Sequence, residues 1–328
     1  MGVGVLLIAF ASVFLLTVLI LHFLIPVLRE KKLGQKILQI GPDWHKSKEG
    51  TPTMGGIAFI LAILTVAGGY FLFRAAKGET EGLIPVALTL AFAVANGAIG
   101  FVDDYVKLFK KRNEGLTEWQ KTVLQVAVSS AYLCVMTYTG NFETAFRIPF
   151  TDLFVELGIF AYPLVIFLLF LTVNGANFTD GIDGLASGVC SVEALLIGAV
   201  ALAFSIEELS LFSGLLLGAT LGFLVYNHYP ARVFMGDTGS LFLGSFVIAS
   251  FLQIGEFGCG ILVCLLYLIE LASSGLQRLY YKLTHGKRIF LMAPIHHHFE
   301  KLGWSETRIV WSFSLIELAF CALAFAAL

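Results

Sequence analysis

The chain has little charge, and it lacks several patterns that define other classes of protein. Only 13% of its 328 residues are charged and 58% are hydrophobic, whereas soluble domains carry about 25% charged residues. Its five cysteines lie in apolar stretches without CxxC or Cys/His ligand spacing, which indicates small buried residues. No GxxxxGK[ST] sequence is present, so an ATP-driven pump is unsupported. The composition therefore predicts a polytopic membrane protein, with residues 1–328 forming one domain.

Long apolar runs predict an all-α integral membrane fold. A helix needs roughly 20 apolar residues to cross the hydrocarbon of a bilayer, and about ten such runs are present. They span residues 3–28, 53–73, 83–102, 119–139, 158–174, 184–204, 209–227, 239–256, 258–281 and 307–327. The ninth contains Glu270 and small residues at 273–275, which predict a bend or an early end. Residues 140–157 mix polar and β-favouring side chains, which predicts a small hairpin outside the membrane.

The positions of the basic residues predict the orientation of these spans. Eighteen of the 21 Lys and Arg residues lie in or beside alternate connections, at 29–52, 103–121, 228–238 and 278–308. Only Arg74, Lys77 and Arg147 fall on the other side. Because cytoplasmic loops carry the excess of Lys and Arg, the basic connections are predicted to face the cytoplasm and both termini to lie outside.

Two adjacent carboxylates stand where the third apolar run ends. Asp103 and Asp104 are followed by Lys107 and Lys111, which a continuing helix places on the same face as Asp103. A solvated helix end would explain the lysines, but it would not explain two acids at the membrane boundary, where charge is costly. Since neighbouring carboxylates repel unless a cation or proton lies between them, the pair predicts a bound metal and chemistry at the membrane surface.

Two further polar clusters lie in connections predicted to be cytoplasmic. Residues 48–56, with Lys48 and Thr51, open the second span with Pro and Gly. Their N–H groups suit an anion, although an ordinary helix cap explains them too. Residues 174–184 interrupt an apolar run with two Asn, two Asp and three Gly, and the glycines allow a ligand close to the backbone. The candidate binding residues in this second cluster are Asn174, Asn177, Asp180, Gly181 and Asp183.

The last two clusters contain an acid between glycines and a run of histidines. Asp237 lies in MGDTGS, after Asn227 and Phe234, and suits an oxygen-ligated Mg²⁺ beside a phosphate. Phe234 could stack on a base or simply dip into the membrane interface. The histidines are His296, His297 and His298. Because adjacent helical residues point in different directions, they are expected to bind phosphate or transfer protons rather than share a zinc ion.

Carboxylates, cationic side chains and Gly/Ser/Thr loops thus gather at one membrane face. This set predicts Mg²⁺-dependent phosphoryl or glycosyl-phosphate transfer that involves a lipid.

These motifs resemble those of the phospho-N-acetylmuramoyl-pentapeptide-transferase (MraY) family of bacterial peptidoglycan synthesis. GTPTMGG, the DD pair, NxxNxTDGxDGLA, VFMGDTGSL and APIHHHFE occur in the expected order and cover nearly the whole chain. The last motif, with Gly303 and Trp304, favours this family over relatives that transfer GlcNAc-1-phosphate. Phe178 and Ile182 stand where leucine is common, and the tail after Trp304 diverges, but neither departure touches a proposed ligand.

The resemblance implies a reaction and its partners. UDP-MurNAc-pentapeptide would donate phospho-MurNAc-pentapeptide to undecaprenyl phosphate, giving lipid I and UMP, with Mg²⁺ as the cofactor. It also implies ten spans with both termini outside, an active-site cleft facing the cytoplasm of the bacterial inner membrane, a homodimer, and inhibition by nucleoside antibiotics. No nucleic-acid partner is expected.

The resemblance assigns roles to individual residues as well. Asp237 would ligate Mg²⁺ beside Asp103 and Asp104, with Asp103 able to deprotonate the lipid phosphate. Lys107 and Lys111 would hold phosphates, and Phe234 would stack on uracil. Residues lining the nucleoside pocket would be Asn177, Asp180 and Gly181. The cleft would be completed by Lys121, Asp183, Asn227, Gln277 and the catalytic residues His296 and His297, with Lys48, Thr51, Asn174 and His298 also binding substrate.

Three alternatives remain at this point. One is a relative that uses UDP-GlcNAc. Another is a secondary transporter of nucleotide or lipid, although transporters bind near the middle of the membrane and often have repeated halves, and no repeat is visible. A structural scaffold would leave the acids unexplained. For the enzyme, direct attack by the lipid phosphate competes with a covalent aspartyl-phosphate route.

Overall fold

The computed structural model describes residues 2–30, 48, 50–80, 82–109 and 115–328. Within these ranges the chain is mostly helical, with one two-stranded sheet. The elements are α1 (Gly2–Glu30), α2 (Gly56–Ala76), α3 (Leu83–Phe109), α4 (Glu118–Tyr138), β1 (Ala145–Arg147), β2 (Phe154–Glu156), α5 (Ala161–Thr179), α6 (Leu185–Phe204), α7 (Glu207–Asn227), α8 (Gly236–Gln253), α9 (Phe257–Val263), α10 (Leu265–Leu283), α11 (Ile295–Lys301) and α12 (Glu306–Ala326).

Each predicted span coincides with a helix, and the ninth with the pair α9 and α10. Among the described residues, seven helices are long and apolar enough to cross a membrane: α1, α2, α3, α5, α6, α7 and α12. Counting the bent pair as one span gives up to eight. The helical membrane fold is therefore confirmed, whereas the count of ten spans and the outward termini stay predictions.

The apolar side chains of the peripheral helices face outward, as lipid requires. On α1, Leu7, Ile8, Leu15 and Phe23 are all more than half exposed. Water would penalise such a surface, because each apolar side chain left exposed forgoes about 1.5–3 kcal/mol of burial free energy. Hydrocarbon imposes no such penalty, so this surface is explained by contact with the bilayer.

The ninth span bends by 63°, but at a different place from the one the sequence suggests. The break lies at Cys264, between α9 and α10, and α10 continues as one helix through Glu270 and residues 273–275. Helix α10 need not break to expose Glu270 to water, because the Glu270 carboxylate has a hydrogen-bond partner on α11. The polar residues in this span therefore indicate a tertiary contact rather than the bend itself.

Helix α8 lies at the centre of the bundle and carries its N-terminus to the functional site. Its residues 238–252 are all buried, and it packs against α3, α5, α2 and α9. Helix α3 approaches closely at Gly100, where a Cβ atom would lie 2.2 Å from the carbonyl oxygen of Asp237. Only glycine permits this approach, which brings the end of α3 beside the start of α8.

The hairpin predicted within residues 140–157 is present as the antiparallel pair β1 and β2, in which Phe146 pairs with Val155. Arg147 ties it to the bundle, since its guanidinium donates to the Glu256 carboxylate at 2.8 Å, just before α9. The hairpin follows α4 and precedes α5, so it lies at the end of the bundle opposite the site formed by the end of α3 and the start of α8.

Candidate active site

Three carboxylates meet where α3 ends and α8 begins. One oxygen from each of Asp103, Asp104 and Asp237 lies within 4.8 Å of the other two. Asp103 and Asp104 are only 3% and 4% exposed. Three carboxylates at this distance, two of them buried, repel strongly unless cations or protons compensate them, so the group is one that could hold a metal ion.

Asp104 has a second role, which is to cap α8. Its carboxylate accepts hydrogen bonds from the backbone N–H groups of Asp237 at 3.2 Å and Thr238 at 3.0 Å, and from the Thr238 hydroxyl at 2.7 Å. The first N–H groups of a helix have no partner within the helix, and a carboxylate there also complements the helix dipole. No local sequence pattern predicts that the acid of one helix caps another.

Asp103 faces the lysine one turn further along α3. Its Oδ2 atom pairs with the ammonium of Lys107, and its Oδ1 atom accepts a hydrogen bond from the backbone N–H of Leu116 at 2.8 Å. The predicted i,i+4 pairing is therefore present. Lys111 lies outside the described residues, so its predicted contact with phosphate stays a prediction.

Asp237 contacts both lysines of the site through one carboxylate oxygen. Its Oδ2 atom accepts from the ammonium groups of Lys121 at 2.7 Å and Lys107 at 3.3 Å. Its Oδ1 atom accepts from the Asn177 side-chain amide at 2.9 Å. Asp237 lies just before the predicted span 239–256, and so outside the segment predicted to cross the membrane. Burial alone would raise its pKa, but the charges of Lys121 and Lys107 outweigh burial and hold the pKa well below its usual range.

The connection between α5 and α6 brings the predicted nucleoside residues to the same place. Asn177 also donates to the Ser240 hydroxyl at 2.8 Å, which fixes the end of α5 to α8. Asp180 follows α5, and burial raises its pKa well above the ordinary value, as do the nearby charges of Asp237 and Asp104.

A second charged cluster joins three distant segments beside this connection. Lys48 donates to Asp183 at 2.7 Å and to Glu306 at 2.6 Å. Glu306 also accepts from the backbone N–H of Asp183, and Asp183 accepts from that of Ala231. Burial lowers the pKa of Lys48, but the carboxylates of Glu306 and Asp183 raise it by more, so it lies above its ordinary value.

Lys48→Met is expected to destabilise the folded protein, because it leaves two neighbouring buried carboxylates without a cation. Breaking a buried ion pair from one side costs about 3–5 kcal/mol, which a thermal melt in detergent would register as a lower midpoint. The exposed Lys77 is the matched control, and Lys77→Met should leave the midpoint unchanged. Adding Glu306→Gln to Lys48→Met should restore part of the loss. A melt in which Lys48→Met behaves like Lys77→Met contradicts the assignment.

The segment that opens α2 pairs with the segment that leads into α8. Phe234 N donates to Pro52 O at 2.8 Å, and Gly55 N donates to Phe234 O at 2.9 Å. The side chains of Thr51 and Phe234 are both partly exposed beside this ladder. Phe234 is therefore free enough to contact a ligand, and the loop that carries Asp237 is fixed by backbone hydrogen bonds.

Several predicted site residues make hydrogen bonds within the protein. Asn227 is buried, accepts from Gly184 N and donates to Val233 O. Asn174 donates to Gln125 on α4 and to Phe170 O. Gln277 accepts from Ile289 N and Phe290 N and donates to Phe290 O. These contacts shape the walls of the site, and a direct contact of these three residues with substrate stays a prediction.

The three histidines have three different partners, as their spacing on a helix suggests. His296 is fully buried, with Nδ1 at 3.0 Å from a carboxylate oxygen of Glu270. His297 pairs through Nδ1 with Glu300, and His298 accepts through Nδ1 from the backbone N–H of Leu291 at 3.1 Å. They do not converge on one metal ion in this arrangement.

Sequence reasoning missed some residues that the fold brings to the site. Glu270 signalled only a bend, and Glu306 looks like an ordinary acid in the first turn of a helix. Thr238 and Ser240 belong to the predicted MGDTGS cluster, but their contacts with Asp104 and Asn177 were not predicted. A buried carboxylate inside an apolar run was the one available signal, and it pointed to Glu270.

Comparison with known proteins defines the class of this protein. The family model described as Glycosyl transferase family 4 matches residues 85–255, which include all three carboxylates of the site. The chain therefore belongs to glycosyl transferase family 4 and is a multi-pass membrane protein with several long apolar helices.

Closer relatives place it within one branch of that family. The Phospho-N-acetylmuramoyl-pentapeptide-transferase signature 1 matches residues 48–60. Phospho-N-acetylmuramoyl-pentapeptide-transferase of Listeria monocytogenes serotype 4b is 42% identical over 327 residues, which is 96% of this chain and 97% of the relative. The enzymes of Clostridium perfringens strain 13 and Caldicellulosiruptor bescii are 43% and 39% identical, covering 93% and 95% of this chain and 93% and 94% of those relatives. The chain belongs to the phospho-N-acetylmuramoyl-pentapeptide-transferases, so the resemblance noted from the motifs is confirmed.

Proposed function

We propose that this protein transfers phospho-MurNAc-pentapeptide from UDP-MurNAc-pentapeptide to undecaprenyl phosphate, releasing UMP and forming lipid I. The observation that carries the proposal is the group of three carboxylates with two lysines at one end of the helical bundle, in a chain of this family. The basic connections at the same end support a site that faces the cytoplasm of the bacterial inner membrane. Both substrates can reach that position, one from the bilayer and one from the cytoplasm.

The side chains of the carboxylate group fit Mg²⁺. They offer only oxygen ligands, which this hard cation prefers, and no cysteine or histidine belongs to the group. Asp237 and Asp103 would hold the ion, because each has an oxygen paired with a lysine side chain that can move away. Asp104 would lie beside them, since backbone N–H groups at the start of α8 hold both of its oxygens. When bound, Mg²⁺ would neutralise charge on the phosphates of the donor.

The lysines of the site act on the phosphates. An oxygen of the lipid phosphate attacks the phosphorus that bears the sugar, and the bond from that phosphorus to the bridging oxygen breaks, so UMP leaves with that oxygen. Both reactants are anions, which would repel each other in a site without positive charge. Lys107 and Lys121 can turn from Asp237 to phosphate oxygens, which offsets the repulsion and stabilises the charge that develops on UMP.

The reaction is a direct transfer rather than one through an aspartyl-phosphate. Both oxygens of Asp103 are already engaged, one with Lys107 and the other with Leu116 N, so attack on phosphorus would have to break one of these contacts. A second lone pair on each oxygen can still accept a proton. Asp103 is instead placed to take a proton from the lipid phosphate. Incubation with labelled donor and no lipid, followed by digestion and mass spectrometry, should recover unmodified Asp103 and Asp104. A phospho-sugar on either residue contradicts the direct route.

The proposal predicts UMP release that needs three components together. Purified protein in detergent should release UMP from UDP-MurNAc-pentapeptide only with undecaprenyl phosphate and Mg²⁺ present. EDTA should stop the reaction and excess Mg²⁺ should restore it, because the carboxylates then lose and regain their counter-charge. Release of UMP from UDP-GlcNAc at an equal rate would favour the alternative donor. Flux of nucleotide into vesicles without product would favour a transporter.

Two further properties belong to the proposal through the family. The protein would work as a homodimer in the membrane, and nucleoside antibiotics would inhibit it by occupying the uridine pocket between residues 177–183 and Phe234. The partial exposure of Phe234 supports that pocket.

A further inference from the structure

The pair formed by Glu270 and His296 is unusual in its burial. Both side chains are 0% exposed, and Glu270 lies on α10 within a span predicted to cross the membrane. Its Oε2 atom lies 3.0 Å from His296 Nδ1, and its Oε1 atom has no hydrogen-bond partner among the described residues. A buried carboxylate with one unsatisfied oxygen is costly, and here it pairs with a buried histidine whose second nitrogen is also unsatisfied.

The second nitrogen of His296 points toward the proposed nucleotide pocket. The Nε2 atom is buried and has no hydrogen-bond partner among the described residues. It lies against Gly181, where a Cβ atom would come within 2.2 Å of it. Gly181 follows Asp180 and precedes Asp183, so the unsatisfied nitrogen faces the connection that also carries Asn177. The nitrogen therefore lacks a partner from the described part of the chain on the side of this connection.

The backbone around the pair is fixed as well. Ser273 is one turn beyond Glu270 on α10, and its hydroxyl donates to Glu270 O at 2.7 Å. The same hydroxyl accepts from Ile295 N at 3.0 Å, next to His296 at the start of α11. Both partners of the pair are thereby held from the same turn of α10, which limits the movement of the imidazole ring.

We propose that Glu270 is a positioning residue, which keeps a proton on His296 Nδ1 and directs Nε2 to the diphosphate of the nucleotide donor. An ionised carboxylate can only accept hydrogen bonds, so it selects the ring form with the proton on Nδ1. A carboxylate behind the ring also stabilises the imidazolium, which is the form in which Nε2 carries a proton as well and can donate to a phosphate oxygen. The inference rests on the proposed function, because it concerns how that donor is held.

Glu270→Gln is the variant that tests this role. The amide keeps the shape but carries no charge, so it no longer stabilises the imidazolium, and its NH₂ group can donate to an unprotonated Nδ1. We expect kcat to fall about 10–100-fold, the range found when the carboxylate behind a metal-ligating histidine is removed. His296→Ala should cost at least as much, and the double variant should lose no more than His296→Ala alone. Glu270→Asp, which keeps the carboxylate, should recover part of the activity.

Glu317→Gln provides the matched control. Glu317 is also a fully buried glutamate on a membrane helix with one unsatisfied oxygen, and it accepts from Cys321 on its own helix, away from the site. It should therefore report the effect of burying an amide in place of a carboxyl group. We expect near wild-type activity for Glu317→Gln, and thermal melts of all variants would exclude a loss of folded protein.

Nitrogen NMR of protein labelled with ¹⁵N-histidine separates this inference from the proposed function. The His296 signals, assigned by their loss in His296→Ala, should show a protonated Nδ1 in the wild type and in Glu317→Gln, and an altered Nδ1 in Glu270→Gln. An unprotonated Nδ1 in the wild type, or a spectrum unchanged by Glu270→Gln, overturns the inference whatever the activity. Equal kcat in Glu270→Gln and Glu317→Gln overturns it as well. Failure of the wild type to release UMP contradicts only the proposed function.

Discussion

Asp237→Asn is expected to abolish Mg²⁺-dependent turnover. Asp237 is the only acid of the site that contacts both lysines and the Asn177 amide among the described residues. Asparagine removes one negative charge and places an NH₂ group opposite other hydrogen-bond donors. The site then binds a cation more weakly, and the two lysines lose the carboxylate that they contact. We expect a fall in kcat of at least about 10²–10³-fold, the scale of losing one preorganised electrostatic group.

The measurement is UMP release across a range of Mg²⁺ concentrations, with protein shown to be folded by its thermal midpoint. Asp152→Asn is the control, because Asp152 is an exposed acid beside the hairpin, far along the chain from the carboxylate group. That variant should keep wild-type activity and the same dependence on Mg²⁺. Wild-type turnover in Asp237→Asn would refute the assignment of Asp237 to the metal.

Gly100→Ala should inactivate the protein although it changes no charged residue. A Cβ atom at this position would lie 2.2 Å from Asp237 O and 2.6 Å from Thr238 N. Those atoms are backbone at the start of α8, so they cannot rotate away, and either α3 or α8 must shift. A shift of about 1 Å between catalytic groups can cost about 10²-fold in rate, so a loss of at least this size is expected.

Substitutions of two other glycines by alanine serve as controls for Gly100→Ala. Gly69→Ala on α2 adds a Cβ with nothing within 4 Å, and should leave activity unchanged. Gly97→Ala, one turn before Gly100, meets its nearest neighbours only at 3.3 Å and should have an intermediate effect. The three variants are compared by UMP release and by thermal midpoint in detergent. Full activity in Gly100→Ala would show that the approach of α3 to α8 does not position the carboxylates.

The sequence predicted the carboxylates and the elements that carry them, but it did not predict their separate roles. Asp103, Asp104 and Asp237 were each conspicuous, because an acid at the end of an apolar run is costly and so demands a reason. That Asp104 caps α8 while Asp237 holds two lysines depends on the packing of α3 against α8. No local pattern records such a contact, since the two segments are separated by more than a hundred residues.

The histidine run illustrates the same limit. Its spacing predicted three different directions, and the three side chains do have three different partners. The sequence could not predict the partner of His296, because Glu270 lies on another helix. Within its own apolar run, Glu270 predicted only a bend. The bend itself lies at Cys264, where α9 ends.

By itself, the sequence determined that this is a helical membrane protein with its polar chemistry gathered in alternate connections. Hydrophobic run length and the placement of charge are local properties, and a bilayer imposes them residue by residue. Only the tertiary structure decided which polar groups meet: Lys48 with Asp183 and Glu306, Lys121 with Asp237, and Glu270 with His296. These pairs form because charged groups excluded from water are stable only beside a partner, and helix packing determines which partner is within reach.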